Sequence, residues 1–192
     1  DFAPGRLGFF DAIQNNQAKT DYNVLGQLYT PGGAGWRTSF KITNVAGTSA
    51  SVNVYYYRDD GSLITSENFN LPVSGAIIKQ WKTMNDTYGV TSGTARVTSN
   101  QSLIIKPSQA VDVEGGLGFW SGYALDSTGM RFSVPELVYY NDTAGTRGNF
   151  KVTNLGSGTA TLTLTYLYSN GSIIYTKTDT LLPGASRLYT WQ

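Results

Sequence analysis

The sequence predicts an all-β protein built as two tandem β-sandwich domains. Three observations carry this: apolar and polar residues alternate with a period of two, turn signals separate the alternating runs, and the whole pattern occurs twice at a fixed offset. Short strands with turns about every 8–12 residues are the pattern of a sandwich.

The repeat comes first because it fixes the register of everything else. FKITNVAGTSASVNVYYYRDDGSLI begins at Phe40 and FKVTNLGSGTATLTLTYLYSNGSII begins at Phe150, an offset of 110 residues. Without a gap, that offset pairs Ala34, Gly35 and Arg37 with Ala144, Gly145 and Arg147, then Leu71 with Leu181 and Trp81 with Trp191. It also lays GRLGFF (Gly5 to Phe10) on GGLGFW (Gly115 to Trp120), and Val24 and Tyr29 on Val134 and Tyr139. The chain is internally duplicated. We divide it into an N-terminal arm at 1–23, a first sandwich at 24–128 and a second, incomplete sandwich at 129–192.

Phe40 and Ile42, and Phe150 and Val152, mark the first strand in each copy. Val52, Val54 and Tyr56 alternate with Ser51, Asn53 and Tyr55 in the next, and Leu162, Leu164 and Tyr166 alternate with threonines in its counterpart. Asp60-Gly61 and Asn170-Gly171 sit between apolar runs and predict type I′ hairpins, with positive φ at both central residues. Ala95/Val97 and Leu103–Ile105 predict two further strands in copy one alone. The only helical pattern, a weak one, covers Phe9–Gln17. Copy two stops one residue after Trp191, so nothing in it corresponds to residues 83–110.

Several of these residues resemble a known family. Trp36-Arg37-Thr38-Ser39-Phe40-Lys41-Ile42-Thr43-Asn44, Asp60-Gly61-Ser62, Leu71-Pro72-Val73-Ser74-Gly75 and GTARVTSNQSL from Gly93 are similar to the tandem Ig-like repeats of secreted bacterial and archaeal surface proteins. The resemblance covers most of copy one and the first half of copy two. It implies two Ig-like sandwiches and a role at the cell surface.

Composition narrows the function. The chain has 192 residues, is 40% hydrophobic and 14% charged, and carries a net charge of +1 without basic blocks. Nucleic-acid binding needs a basic stripe, and no run reaches the ~18 apolar residues of a membrane helix. Low charge with many Ser, Thr, Asn, Gly and Tyr suits an extracellular location. Histidine and cysteine are absent, which excludes catalytic triads, Cys–His dyads and zinc–thiolate sites. No cofactor and no metal are expected.

Carboxylate chemistry survives that exclusion. Asp112 and Glu114 share one strand face, and Asp59 and Asp60 are candidate calcium ligands, but a solvated strand and a hairpin turn account for them better. We expect no enzyme. Carbohydrate binding is the rival reading, since aromatic side chains stack on sugar rings. Trp81/Trp191 and Phe10/Trp120 are aromatic in both copies and are expected to pack. Trp36 faces Thr146 in copy two, and Tyr55 and Tyr57 alternate with Tyr56, so Trp36, Tyr55 and Tyr57 form the candidate binding surface, pointing to solvent. Asn85, Asn100, Asn141 and Asn170 are candidate glycosylation sites in N-x-S/T sequons.

A sandwich lacking its last strands exposes backbone edges and apolar surface. Three remedies are open: a neighbouring copy donates a strand, residues 1–13 pack on their own subunit, or another protein completes the sheet. The donor candidate is the N-terminal segment with Leu7, Phe9, Phe10 and Ile13, whose GRLGFF matches GGLGFW. Donation repeated head to tail yields a homopolymer. The leading expectation is therefore a structural subunit of an extracellular filament or surface assembly. The alternative is a monomeric carbohydrate-binding or adhesive module.

Overall fold

The computed structural model describes residues 18–31, 36–111 and 149–190. It is an all-β protein of antiparallel sheets with one short helix. The chain divides into two compact units, Asp1–Arg58 with Leu63–Ser127, and Asp59–Ser62 with Thr128–Gln192.

In the first unit the strands are β1 (Lys19–Leu28), β2 (Trp36–Asn44), β3 (Ala50–Arg58), β4 (Leu63–Leu71), β5 (Ala76–Gln80) and β6 (Ser92–Val111), with helix α1 (Trp81–Tyr88) between β5 and β6. They form one six-stranded sheet in the order β4-β3-β6-β2-β5, with β1 on β6. β1 opens inside the segment expected to be an arm. It is tied down where the Tyr22 hydroxyl donates to Leu103 O at 2.5 Å.

β6 organises this unit. The sequence predicts two strands here, and the structure holds a single strand of 20 residues. Residues 93–99 pair with β3, residues 103–111 pair with β2, and between them the ladder is broken. At that corner the Ser51 N–H donates to Asn100 Oδ1 at 2.8 Å, and the Gln101 N–H to Ser99 Oγ at 3.1 Å. The strand doubles back: Tyr29 donates its N–H to Thr91 O and also bridges Arg37, whose other neighbour is Ala110. The two halves of the sheet therefore face each other. Alternation, polar then apolar, puts Val52, Val54, Tyr56, Ala95 and Val97 from one half against Phe40, Ile42, Leu103 and Ile105 from the other in one buried cluster.

Sequence periodicity missed α1. Its eight residues include Thr83, Asn85, Asp86 and Thr87, poor helix formers, and no side chain caps its start at Gln80. Tertiary packing holds it, with Trp81 and Met84 buried three residues apart on one face and the Trp81 ring 6.1 Å from Tyr56. The Trp81 indole is fully buried, as expected of an aromatic shared by both copies; Trp191 and the Phe9–Gln17 segment lie outside the described residues.

The second unit contains β7 (Asn149–Thr153), β8 (Ala160–Leu167), β9 (Ile173–Leu181) and β10 (Ser186–Thr190). β7 pairs with β10, and β8 with β9, as two separate two-stranded sheets. These strands lie 110 residues after β2, β5, β3 and β4, and the local hydrogen bonds recur with them. Asn44 Nδ2 donates to Thr48 O and Leu71 O, and its Oδ1 accepts from Ala46 N–H. Asn154 makes the same three bonds to Gly158 O, Leu181 O and Gly156 N–H.

The hairpin turns differ from the type I′ expectation. Ser74 is the only non-glycine residue with positive φ among the described residues, whereas Gly61 and Gly171 have φ of 87° and 85°. Asp60 and Asn170 stay at negative φ, with only the following glycine in the left-handed region. Gly171 donates to Tyr168 O and Tyr168 to Ser172 O. This is the three-residue loop with a terminal glycine bulge. It lets each Asx side chain accept the N–H of the serine two residues on, Ser62 at 2.8 Å and Ser172 at 3.0 Å.

Candidate functional site

The candidate site is the side of the second unit where β6 would stand. In the first unit β6 pairs with both β2 and β3, and so joins the two halves of the sheet. Among the described residues no strand pairs with the corresponding edges of β7 and β8. The side chains register the difference. Ile42, Val52 and Val54 are fully buried, whereas their counterparts Val152, Leu162 and Leu164 are half-buried. Leu167 at 52% and Ile173 at 64% exposure add apolar surface near the β8–β9 loop.

The opposite side is closed in both units, by different chemistry. In the first, the Tyr56 hydroxyl donates to Glu67 Oε1 at 2.5 Å, and Lys79 Nζ reaches Glu67 Oε2 at 2.7 Å, linking edge strands β4 and β5. The Lys79 ammonium also lies 4.4 Å from the Phe69 ring centroid. Burial and the neighbouring Glu67 carboxylate push the Tyr56 phenol far up. In the second unit Lys177 stands in place of Glu67, Asp179 of Phe69, Arg187 of Ile77 and Tyr189 of Lys79. Asp179 there accepts from Arg187 and, at 2.9 Å, from the Tyr189 hydroxyl, linking β9 to β10. Arg187, the Thr180 N–H and Tyr189 hold the Asp179 carboxyl below its ordinary range, while burial and Asp179 push Tyr189 up to about 12. Phe150 stacks on Tyr189 at 5.4 Å and Tyr166 on Tyr175 at 4.8 Å. The second unit is thus clasped along β9–β10, with no described strand along β7 and β8.

Sequence reasoning missed both clasps. The signal was a coordinated change at four aligned positions, 67/177, 69/179, 77/187 and 79/189, where acid, base and aromatic change places between the copies.

The residues singled out from sequence are distributed as follows. Leu7, Phe9, Phe10, Ile13, Asp112, Glu114 and Asn141 lie outside the described residues. Trp36 opens β2 opposite Val111, and its side chain is likewise outside them. Tyr55 and Tyr57 lie on the face of β3 away from the core, as alternation requires, but are half-buried rather than free in solvent. Tyr55 stands between Arg96 of β6 and Ser66 of β4, and Asp21 of β1 holds Arg96 at 2.6 Å. Asn85 is half-buried on α1, whereas Asn100 and Asn170 are exposed with their amide oxygens engaged. Among the described residues no group of three or more acidic side chains could hold a metal, and no helix is long and apolar enough to cross a membrane.

No protein-family model matches the chain, and no curated protein matches it. Among solved structures it is similar to the Anabaena sensory rhodopsin transducer, at 15% identity over 46% of this chain and 93% of that one, with a TM-score of 0.37.

Proposed function

We propose that the chain is a duplicated pair of Ig-like sandwiches serving as a structural subunit of an extracellular filament or surface assembly. Subunits join when the N-terminal segment of one copy completes the second sandwich of the next. One observation carries this reading: the edges of β7 and β8 have no strand partner among the described residues, while the equivalent edges of β2 and β3 share β6. An unpaired edge beside half-buried apolar residues templates an added strand, with backbone hydrogen bonds supplying affinity and alternate side chains specificity. Donor and acceptor surfaces differ, so the contact is heterologous and propagates. The mechanism involves no bond chemistry.

Negative-stain electron microscopy of the full chain beside a variant lacking residues 1–13 tests the reading. Fibres from the full chain alone support it; dispersed particles from both refute it and leave the carbohydrate-binding module, centred on Trp36, Tyr55 and Tyr57, as the better account.

A further inference from the structure

Resting on the strand-donation reading, we propose that the donor docks along β7 and not β8, with Leu7 of one copy opposite Asn154 and Phe9 opposite Val152 of the next. The first unit supplies the template, because β6 presents two chemically different halves. Its first half lays Gly93, Ala95 and Val97 beside β3, where space is tight. A Cβ added at Gly93 would lie 2.1 Å from Tyr57 O and 2.6 Å from the Trp81 ring. Its second half lays large residues beside β2, Leu103 opposite Asn44 and Ile105 opposite Ile42, both in the buried core.

The donor's inward pattern, Leu7-Gly8-Phe9, matches the second half and not the first. Leu7 takes the place of Leu103, and Phe9 that of Ile105. Volumes compensate across the pair: the first unit sets Ile105 against Ile42, and here Phe9, larger than Ile105, meets Val152, smaller than Ile42. Asp11 then falls at the position of Pro107, which is only half-buried. Along β8 the same segment would put leucine and phenylalanine where glycine and alanine fit, against Tyr166, which is already buried. The inward spacing of two residues is what a strand edge requires.

The absence of native cysteine makes the register testable by disulfide trapping. In this register Gly8 stands opposite Thr153, as Ile104 stands opposite Thr43. Directly opposed residues have Cβ atoms about 4.5–5.5 Å apart, close to disulfide reach. Chains carrying Gly8→Cys are mixed with chains carrying Thr153→Cys, or with chains carrying Thr165→Cys on β8, and oxidised. The expected result is a covalent dimer, read by non-reducing electrophoresis, formed at least tenfold more with Thr153→Cys. Trapping mainly on Thr165→Cys overturns the β7 register while leaving donation standing. No trapping on either strand, with fibres still lost on deletion of residues 1–13, also overturns it. No trapping together with no fibres refutes donation itself. Phe9→Ala, which alters only the donor, is expected to lower fibre yield without changing the circular dichroism of the subunit.

Discussion

The two units carry the same hairpins, loops and asparagine pivot, yet among the described residues only the strands of the first close around a fully buried core. In the first, β6 contributes Ala95, Val97, Leu103 and Ile105 and leaves Val52, Val54, Phe40 and Ile42 without solvent contact. In the second, Leu162, Leu164, Phe150 and Val152 stay half-buried, although the sequence there is no less apolar. The lesson is that a strand's own alternation selects its inner face, but full burial of that face depends on a partner strand such as β6.

The largest effect is expected at Gly93. Gly93→Val is expected to destabilise the first unit by about 3 kcal/mol or more, because backbone and the Trp81 ring occupy the space of the new side chain. Hydrogen-exchange mass spectrometry should show lost protection across β2, β3 and β6 with β7–β10 unchanged; equal loss across β7–β10 would overturn the prediction. A matched pair of truncations sharpens the point. Val54→Ala is expected to cost about 2 kcal/mol in urea unfolding, and Leu164→Ala about 1 kcal/mol in the monomer despite its larger side chain. Assembly should raise the second value, since a donated strand would bury Leu164 more fully.

Both clasps respond to alkali through a tyrosine, and the second also responds to acid through Asp179. Asp179 is depressed in the folded state, so its contribution is present above its ordinary pKa of 3.8 and is lost as pH falls below that through the depressed value. Acid should therefore loosen β9–β10, and Asp179→Asn should abolish that acid-dependent loosening in a titration followed by hydrogen exchange. Tyr56 and Tyr189 are both raised. Their contributions are complete below pH 10, where the phenols are neutral in both states, and decline above it as the unfolded state alone loses protons. Alkaline unfolding that begins below pH 9 would contradict that assignment.

The smallest effect belongs to the turn before β5. Ser74 adopts φ of 58°, a region that penalises a Cβ, while Gly184 takes the matching position in the second unit with φ of 73°. Ser74→Gly is expected to stabilise the first unit by up to about 1 kcal/mol, and Gly184→Ser to destabilise the second by a similar amount, both read from thermal midpoints.

The sequence by itself determined the all-β class, the offset of the repeat and the inner face of each long strand. These are local quantities: Val52-x-Val54-x-Tyr56 and Leu162-x-Leu164-x-Tyr166 alternate whatever surrounds them. It also located the hairpin loops, though not their geometry, because Asp-Gly and Asn-Gly serve a two-residue and a three-residue loop equally well. Tertiary structure alone decided the rest. Helix α1 forms although its own residues favour it weakly, because burying Trp81 and Met84 offsets their low propensity. The two stretches Ala95/Val97 and Leu103–Ile105 become one strand because the two halves of the sheet each need a partner and the chain bends between them at Asn100. The clasps depend on side chains 11 and 12 residues apart, Tyr56–Glu67 and Glu67–Lys79, meeting across strand edges whose approach no local pattern encodes.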